Sequence, residues 1–173
     1  VADVAVLAEL RGIDGDRLGG YAEWVAAHAE THLPFVAEID GYVVGAAWLL
    51  VAERVPSNES PERWYGDIQS VEVRAEYRNR GVGAALMAAI LTEARTRGLL
   101  HVTVHSGRRA VDFYLRNGFN QHRQCCSGSR ASRDHLSLAP GWSMGRRRHC
   151  RDLDPGRTPA DCSVKARSPH SGW

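Results

Sequence analysis

Val71-Glu72-Val73-Arg74-Ala75-Glu76-Tyr77-Arg78-Asn79-Arg80-Gly81-Val82-Gly83-Ala84 carries three signals in succession: the end of a strand, a turn rich in arginine and glycine, and the start of a helix. Val82, Leu86, Ala89 and Ile90 fall on one face of that helix, predicted over 81–97, and Gly98 supplies a C-cap. The first backbone N–H groups of a helix have no internal partners, and the helix dipole adds about half a positive charge there. Glycines allow close approach to that backbone. The pattern fits a phosphate or pyrophosphate site reinforced by Arg78 and Arg80. It also fits a tight strand-to-helix turn on a solvated basic surface, because short glycine patterns are weak signals. A dinucleotide fingerprint fits poorly, since Leu86 stands where a third glycine is needed. A Walker loop is ruled out, as no Gly-Lys-Ser/Thr occurs.

Outward from this stretch, residues 67–74 read as a strand with Ile68, Val71 and Val73 as its apolar members. Segments 35–39 and 42–51 read as two more, joined at Asp40-Gly41, a dipeptide that favours a two-residue hairpin turn. Two helices are predicted before them, over 3–11 and 21–31, with Pro34 ending the second. A β-branched strand over 99–104 and a short helix over 108–117, closed by Gly118, complete the pattern. The order α-α-β-β-β-α-β-α describes a mixed α/β domain.

The composition divides sharply at about residue 121. The first 120 residues hold 12 basic and 16 acidic side chains, whereas the last 53 hold 10 and 4. Large apolar and aromatic residues number 42 in the first part and 7 in the second. Residues 1–120 are therefore read as the folded domain, and residues 121–173 as an Arg/Ser/Cys-rich tail that is disordered or translated out of frame. All four cysteines (Cys125, Cys126, Cys150, Cys162) lie in the tail. A zinc site there would lack any Cys-x-x-Cys pair. A nucleic-acid arm built on Arg146, Arg147, Arg148 and Arg151 would lack interleaved aromatics. No metal and no nucleic-acid partner is therefore expected.

No run approaches the ~18 consecutive apolar residues of a membrane span, and none is expected. Residues 1–10 carry Asp3 and Glu9 with no basic leader, so no secretory signal is expected either. The cysteine-free domain suits a reducing cytoplasm.

Arg78-Asn79-Arg80-Gly81-Val82-Gly83 resembles the Arg/Gln-x-x-Gly-x-Gly/Ala hallmark of the GNAT superfamily of N-acetyltransferases. Residues 110–119, Ala-Val-Asp-Phe-Tyr-Leu-Arg-Asn-Gly-Phe, are similar to its second signature, an aromatic helix ending in Gly-Phe. The resemblance implies a GNAT-like mixed central sheet flanked by helices, with the first strand and the last two strands missing or atypical. It implies acetyl-CoA as co-substrate, with the backbone of Val71 and Val73 pairing with the pantetheine arm. The amides of Arg78, Asn79, Arg80, Gly81, Val82, Gly83 and Ala84 would hold the pyrophosphate. Tyr114 would protonate the departing thiolate, and Asp67 is the candidate general base, with Gln69 at the other strand position where the family often places such groups. His28, His32, His101 and His105 are read as surface or satisfied core groups.

The implied reaction is acetyl transfer to a primary amine of a small molecule or peptide, by direct attack in a ternary complex. The contrasting reading is a non-catalytic acyl-CoA-binding protein. With strands missing after Phe119, the strand ending near Val104 would have an open edge, so association into a homodimer is expected.

Overall fold

The computed structural model describes residues 2–121, 134–138 and 162–166. Two helices come first, α1 (Ala2–Leu10) and α2 (Arg17–Ala27), followed by strands β1 (His32–Ile39), β2 (Tyr42–Glu53) and β3 (Trp64–Val73). Helix α3 (Val82–Thr96), strand β4 (Val102–Ser106) and helix α4 (Val111–Arg116) follow. Three short strands follow among the described residues: β5 (Asn120–Gln121), β6 (Asp134–Leu138) and β7 (Cys162–Ala166). The seven strands among the described residues form one sheet in the order β5-β6-β4-β3-β2-β1-β7. Only β3 and β4 run parallel; every other pair is antiparallel.

The β1–β2 hairpin turns at Asp40-Gly41 as expected, with φ of 52° and 79°, the double positive φ of a type I′ turn. Helix α2 ends four residues earlier than the sequence pattern suggests, because β1 already begins at His32. Pro34 therefore lies inside a strand, opposite Trp48. The strand tolerates it at the sheet's outer side, where pairing with β7 starts only at Phe35.

Each face of the sheet carries its own core. On one, α3 and α4 bury Leu86, Ile90 and Tyr114 against Phe35, Leu49, Ile68, Val102 and Val104. On the other, α1 and α2 cover β1 and β2 through Leu7, Val25, Val36, Ala46 and Trp48. Arg74 Nη1 donates to Glu9 Oε1 at 2.8 Å and Arg74 Nε to the Val43 carbonyl at 3.1 Å, tying the end of α1 to the sheet. The guanidinium holds the Glu9 carboxyl below the usual carboxylate range.

After Phe119, where the last two strands were expected to be missing or atypical, short strands join both sides of the sheet. Backbone pairing sets Leu138, Ser137 and Leu136 opposite Val102, Thr103 and Val104, so β4 is not an edge. At the far side β7 pairs with β1 from Phe35–Ala166 to Ile39–Cys162. Ladder hydrogen bonds need no long apolar run, and Leu136 is fully buried. The zinc and nucleic-acid readings of the tail fall on residues outside those described, apart from Cys162 in β7. Among the described residues no cluster of three or more His, Cys, Asp or Glu is placed to hold a metal. No helix among them is long and apolar enough to cross a membrane.

Candidate active site

Strands β3 and β4 pair only from Gly66–Val102 to Ile68–Val104. Beyond Ile68, β3 runs on to Val73 with β2 alone beside it, and the two parallel strands part. A bulge marks the point of departure. Val71 lies opposite Ala47 and Gln69 opposite Trp48, leaving Ser70 as the extra residue with φ of 40°. Ser70 Oγ on β3 and Ser106 Oγ on β4 flank the opening, and both are buried without a hydrogen-bond partner among the described residues.

The backbone past the bulge is turned into this gap. The Arg74 N–H donates toward β2, to the Val44 carbonyl at 2.9 Å. The Glu72 carbonyl also points that way, lying 3.0 Å from where a Gly45 β-carbon would be. Successive strand residues alternate, so the N–H and C=O of Val73, and with them those of Val71, face away from β2. The Val73 carbonyl accepts a hydrogen bond from Arg78 Nε at 3.0 Å.

The gap leads to the arginine-glycine turn. Asn79 and Gly81 adopt φ of 60° and 82°, and the first helical hydrogen bond of α3 runs from the Ala85 N–H to the Gly81 carbonyl at 2.9 Å. The preceding amides have no partner within the helix, and Gly81 gives no side-chain cap. Arg78, Asn79 and Arg80 are exposed around them, with Arg80 lying over the Tyr77 ring at 5.7 Å. Gly83 has a further task. A β-carbon there would lie 3.0 Å from Cε2 of Phe113, so its lack of a side chain is what lets α4 dock on α3.

Tyr114 is 6% exposed in the core on the α3 and α4 face, edge-on to Phe113 and Phe119 at 5.0 and 5.6 Å. Burial pushes its phenol up to about 12. Asp67 occupies the opposite face, where its Oδ1 accepts a hydrogen bond from Thr103 Oγ1 at 2.8 Å. His105 Nδ1 lies 3.6 Å from the same oxygen. The sheet therefore separates the two candidate catalytic groups. Thr103 and His105 were absent from the sequence-derived site, although the alternation of 102–106 places both on one side of β4. The bulged Ser70 carried no sequence signal.

A depression of about 270 Å³, lined by Glu9, Glu72, Arg74, Glu76 and Arg78 among others, lies at the far end of β3. It adjoins the turn and lies outside the β3–β4 gap.

Residues 5–119 match the model of the acetyltransferase (GNAT) family. The chain belongs to the GNAT family. Glucosamine 6-phosphate N-acetyltransferase of Trypanosoma brucei brucei is 27% identical over 118 residues, covering 68% of this GNAT chain and 78% of that protein. Mycothiol acetyltransferase of Cellulomonas flavigena is 35% identical over 91 residues, which is 49% of this chain but only 25% of that longer protein. A predicted acetyltransferase of Clostridium acetobutylicum solved with acetyl-CoA shares the fold, with a TM-score of 0.61 at 14% identity over 74% of this chain and 90% of that one. GNAT membership and these relatives support an acyl-CoA-dependent acetyltransferase.

Proposed function

We propose that this protein transfers the acetyl group of acetyl-CoA to a primary amine of a small-molecule or peptide acceptor, by direct attack in a ternary complex. The observation that carries the reading is the gap between β3 and β4, with the backbone of Val71 and Val73 turned into it and the open amides of α3 at its end. An extended pantetheine arm has amides that can pair with such a backbone as an added strand would. The amides of residues 78–84 receive the pyrophosphate, with Arg78 and Arg80 neutralising its charge. The hydroxyls of Ser70 and Ser106 are two further partners for polar groups of a ligand lying in the gap.

Chemistry then divides between the faces. Holding the amine against the thioester supplies most of the rate by converting a bimolecular encounter into an oriented one. Asp67 provides the negative charge toward which the amine's proton moves. Tyr114 serves the departing sulfur from the α4 face. Its phenol, at about 12, is far less acidic than a thiol of about 8.5, and full proton transfer is uphill by about 5 kcal/mol. Tyr114 therefore acts first as a hydrogen-bond donor to the thiolate, with the proton following or arriving from water.

The acceptor panel should begin with glucosamine 6-phosphate, the substrate in the name of one relative. Calorimetric titration with acetyl-CoA, paired with thiol release on a panel of primary amines, tests the proposal. Saturable binding with amine-dependent release of CoA is expected. Binding without release on any amine would favour the non-catalytic reading, and absence of binding would remove both.

A further inference from the structure

Helix α2 passes into β1 through one further turn. The His32 N–H donates to the His28 carbonyl at 2.8 Å, and the Thr31 N–H donates to the same oxygen at 3.0 Å. Helical i to i+4 spacing is thus kept across the junction, which sets the two histidines side by side. Their ring centres are 5.3 Å apart, and both residues are half-buried. Trp24, exposed at the surface, stacks on His28 with centroids 4.5 Å apart and planes 20° apart. The spacing His-x-x-x-His carries little signal along the chain, because the segment changes from helix to strand within it.

Hydrogen bonds behind the rings assign their protons. His28 Nδ1 lies 2.8 Å from the Trp24 carbonyl. A carbonyl only accepts, so in the neutral ring Nδ1 carries the hydrogen and Nε2 the lone pair. The Thr31 hydroxyl donates its one hydrogen to the His28 carbonyl at 3.3 Å. His32 Nδ1, 3.0 Å from that hydroxyl oxygen, therefore donates to it, and Nε2 is again the lone-pair atom. An Nδ1–H held from behind in this way is the arrangement that orients metal-binding imidazoles. Two imidazoles bound through nitrogen to one metal ion have ring centres about 5 Å apart.

We propose that His28 and His32 form a two-histidine site for a divalent transition-metal ion of the Ni²⁺, Cu²⁺ or Zn²⁺ class at the junction of α2 and β1. The ion takes Nε2 of each ring, and water completes its shell from the solvent side. Imidazole nitrogen suits these ions, whereas Mg²⁺ and Ca²⁺ require oxygen ligands. No third His, Cys, Asp or Glu joins the pair among the described residues. The site is accordingly an exchangeable one of modest affinity, unlike the closed four-ligand centres of structural zinc. It fastens the end of the helix that covers β1 and β2 to the first residue of β1. It lies two strands away from β3 in the sheet and needs no acetyl-transfer chemistry.

The test uses the full chain with Ni²⁺ alone as the probe and tryptophan fluorescence as the readout. Trp24 stacks on a ligand, so a paramagnetic ion at the pair quenches it. Quenching should saturate at micromolar Ni²⁺, since joining two weak ligands raises affinity by ~10²-fold or more. Zn²⁺, which does not quench, should displace Ni²⁺ and restore the emission, and Mg²⁺ should do neither. His28→Gln and His32→Gln should each weaken the effect by ~10²-fold. Trp24→Phe should lose this quenching yet keep Ni²⁺ binding in equilibrium dialysis, because the carbonyl that orients His28 belongs to the backbone. The four cysteines and six other histidines also bind Ni²⁺, so the part of the signal that depends on Trp24 is the part scored. Saturating Ni²⁺ should raise the melting temperature of the wild type more than that of His28→Gln. Should His32→Gln fail to fold, His28→Gln, at the end of α2, decides. Trp24-dependent quenching that is equal in the wild type and the glutamine variants, or that needs millimolar Ni²⁺, overturns the site.

Discussion

Gly83 and Phe113 lie so close that a β-carbon on the first would sit 3.0 Å from Cε2 and 3.1 Å from Cζ of the second. The glycine of the phosphate-binding turn and an aromatic of the α4 signature are thus one packing unit. Gly83→Val should destabilise the fold by about 1–3 kcal/mol, the usual range for overpacking, as well as weaken acetyl-CoA binding. Adding Phe113→Leu should recover much of the stability, as read from denaturant melts. Equal stability of wild type and Gly83→Val would show that the ring moves aside freely.

Tyr114→Phe should lower kcat by ~10²-fold or more, within the range for groups that assist proton transfer, and leave acetyl-CoA affinity close to that of the wild type. Because the phenol is held neutral, this deficit should persist unchanged from pH 6 to about pH 9. Turnover equal to wild type would reduce Tyr114 to a packing residue.

The same phenol makes stability depend on alkaline pH. Its folded value of about 12 lies above the ordinary value of 10.0, so the unfolded chain releases this proton first. The contribution is fully present below about pH 10 and is lost as pH rises toward 12, by an amount on the order of 2 kcal/mol. Denaturant melts from pH 9 to pH 11.5 should show a steeper decline in wild type than in Tyr114→Phe. Parallel slopes would show that the hydroxyl is solvated in the folded protein.

A chain ending after residue 138 keeps β6 and loses β7, leaving β1 as an unpaired edge along Phe35–Ile39. Exposed edges recruit other strands. The shortened chain should melt at lower temperature and elute at higher apparent mass in size-exclusion chromatography. Identical behaviour of the two lengths would mean that β7 contributes nothing to the edge.

These outcomes turn on residues of unequal legibility. Asp40-Gly41 could be read directly, because a two-residue turn with positive φ at both positions has few sequence solutions. The Arg78–Gly83 turn and the aromatic α4 were equally plain, since each is a local run of residue types. The strands after Phe119 were not. The segment Asp134–Leu138 is held by register against β4, which leaves little mark on composition. His105 escaped notice for a related reason. Its meeting with Asp67 depends on parallel pairing of strands separated by the whole of α3, so neither residue announces the other along the chain.

Closing the sheet at β7 also has a consequence for the order in which the protein can be made. Phe35 pairs with Ala166, a contact whose halves leave the ribosome at very different times. At typical elongation rates of ~5–20 residues per second, the second half follows the first by roughly 6–25 s. Hairpins such as β1–β2 form in microseconds, so the β1–β2 ribbon exists long before its outer neighbour does. During that interval the Phe35–Ile39 edge is available to chaperones and to neighbouring nascent chains, and β7 must compete for it when it emerges.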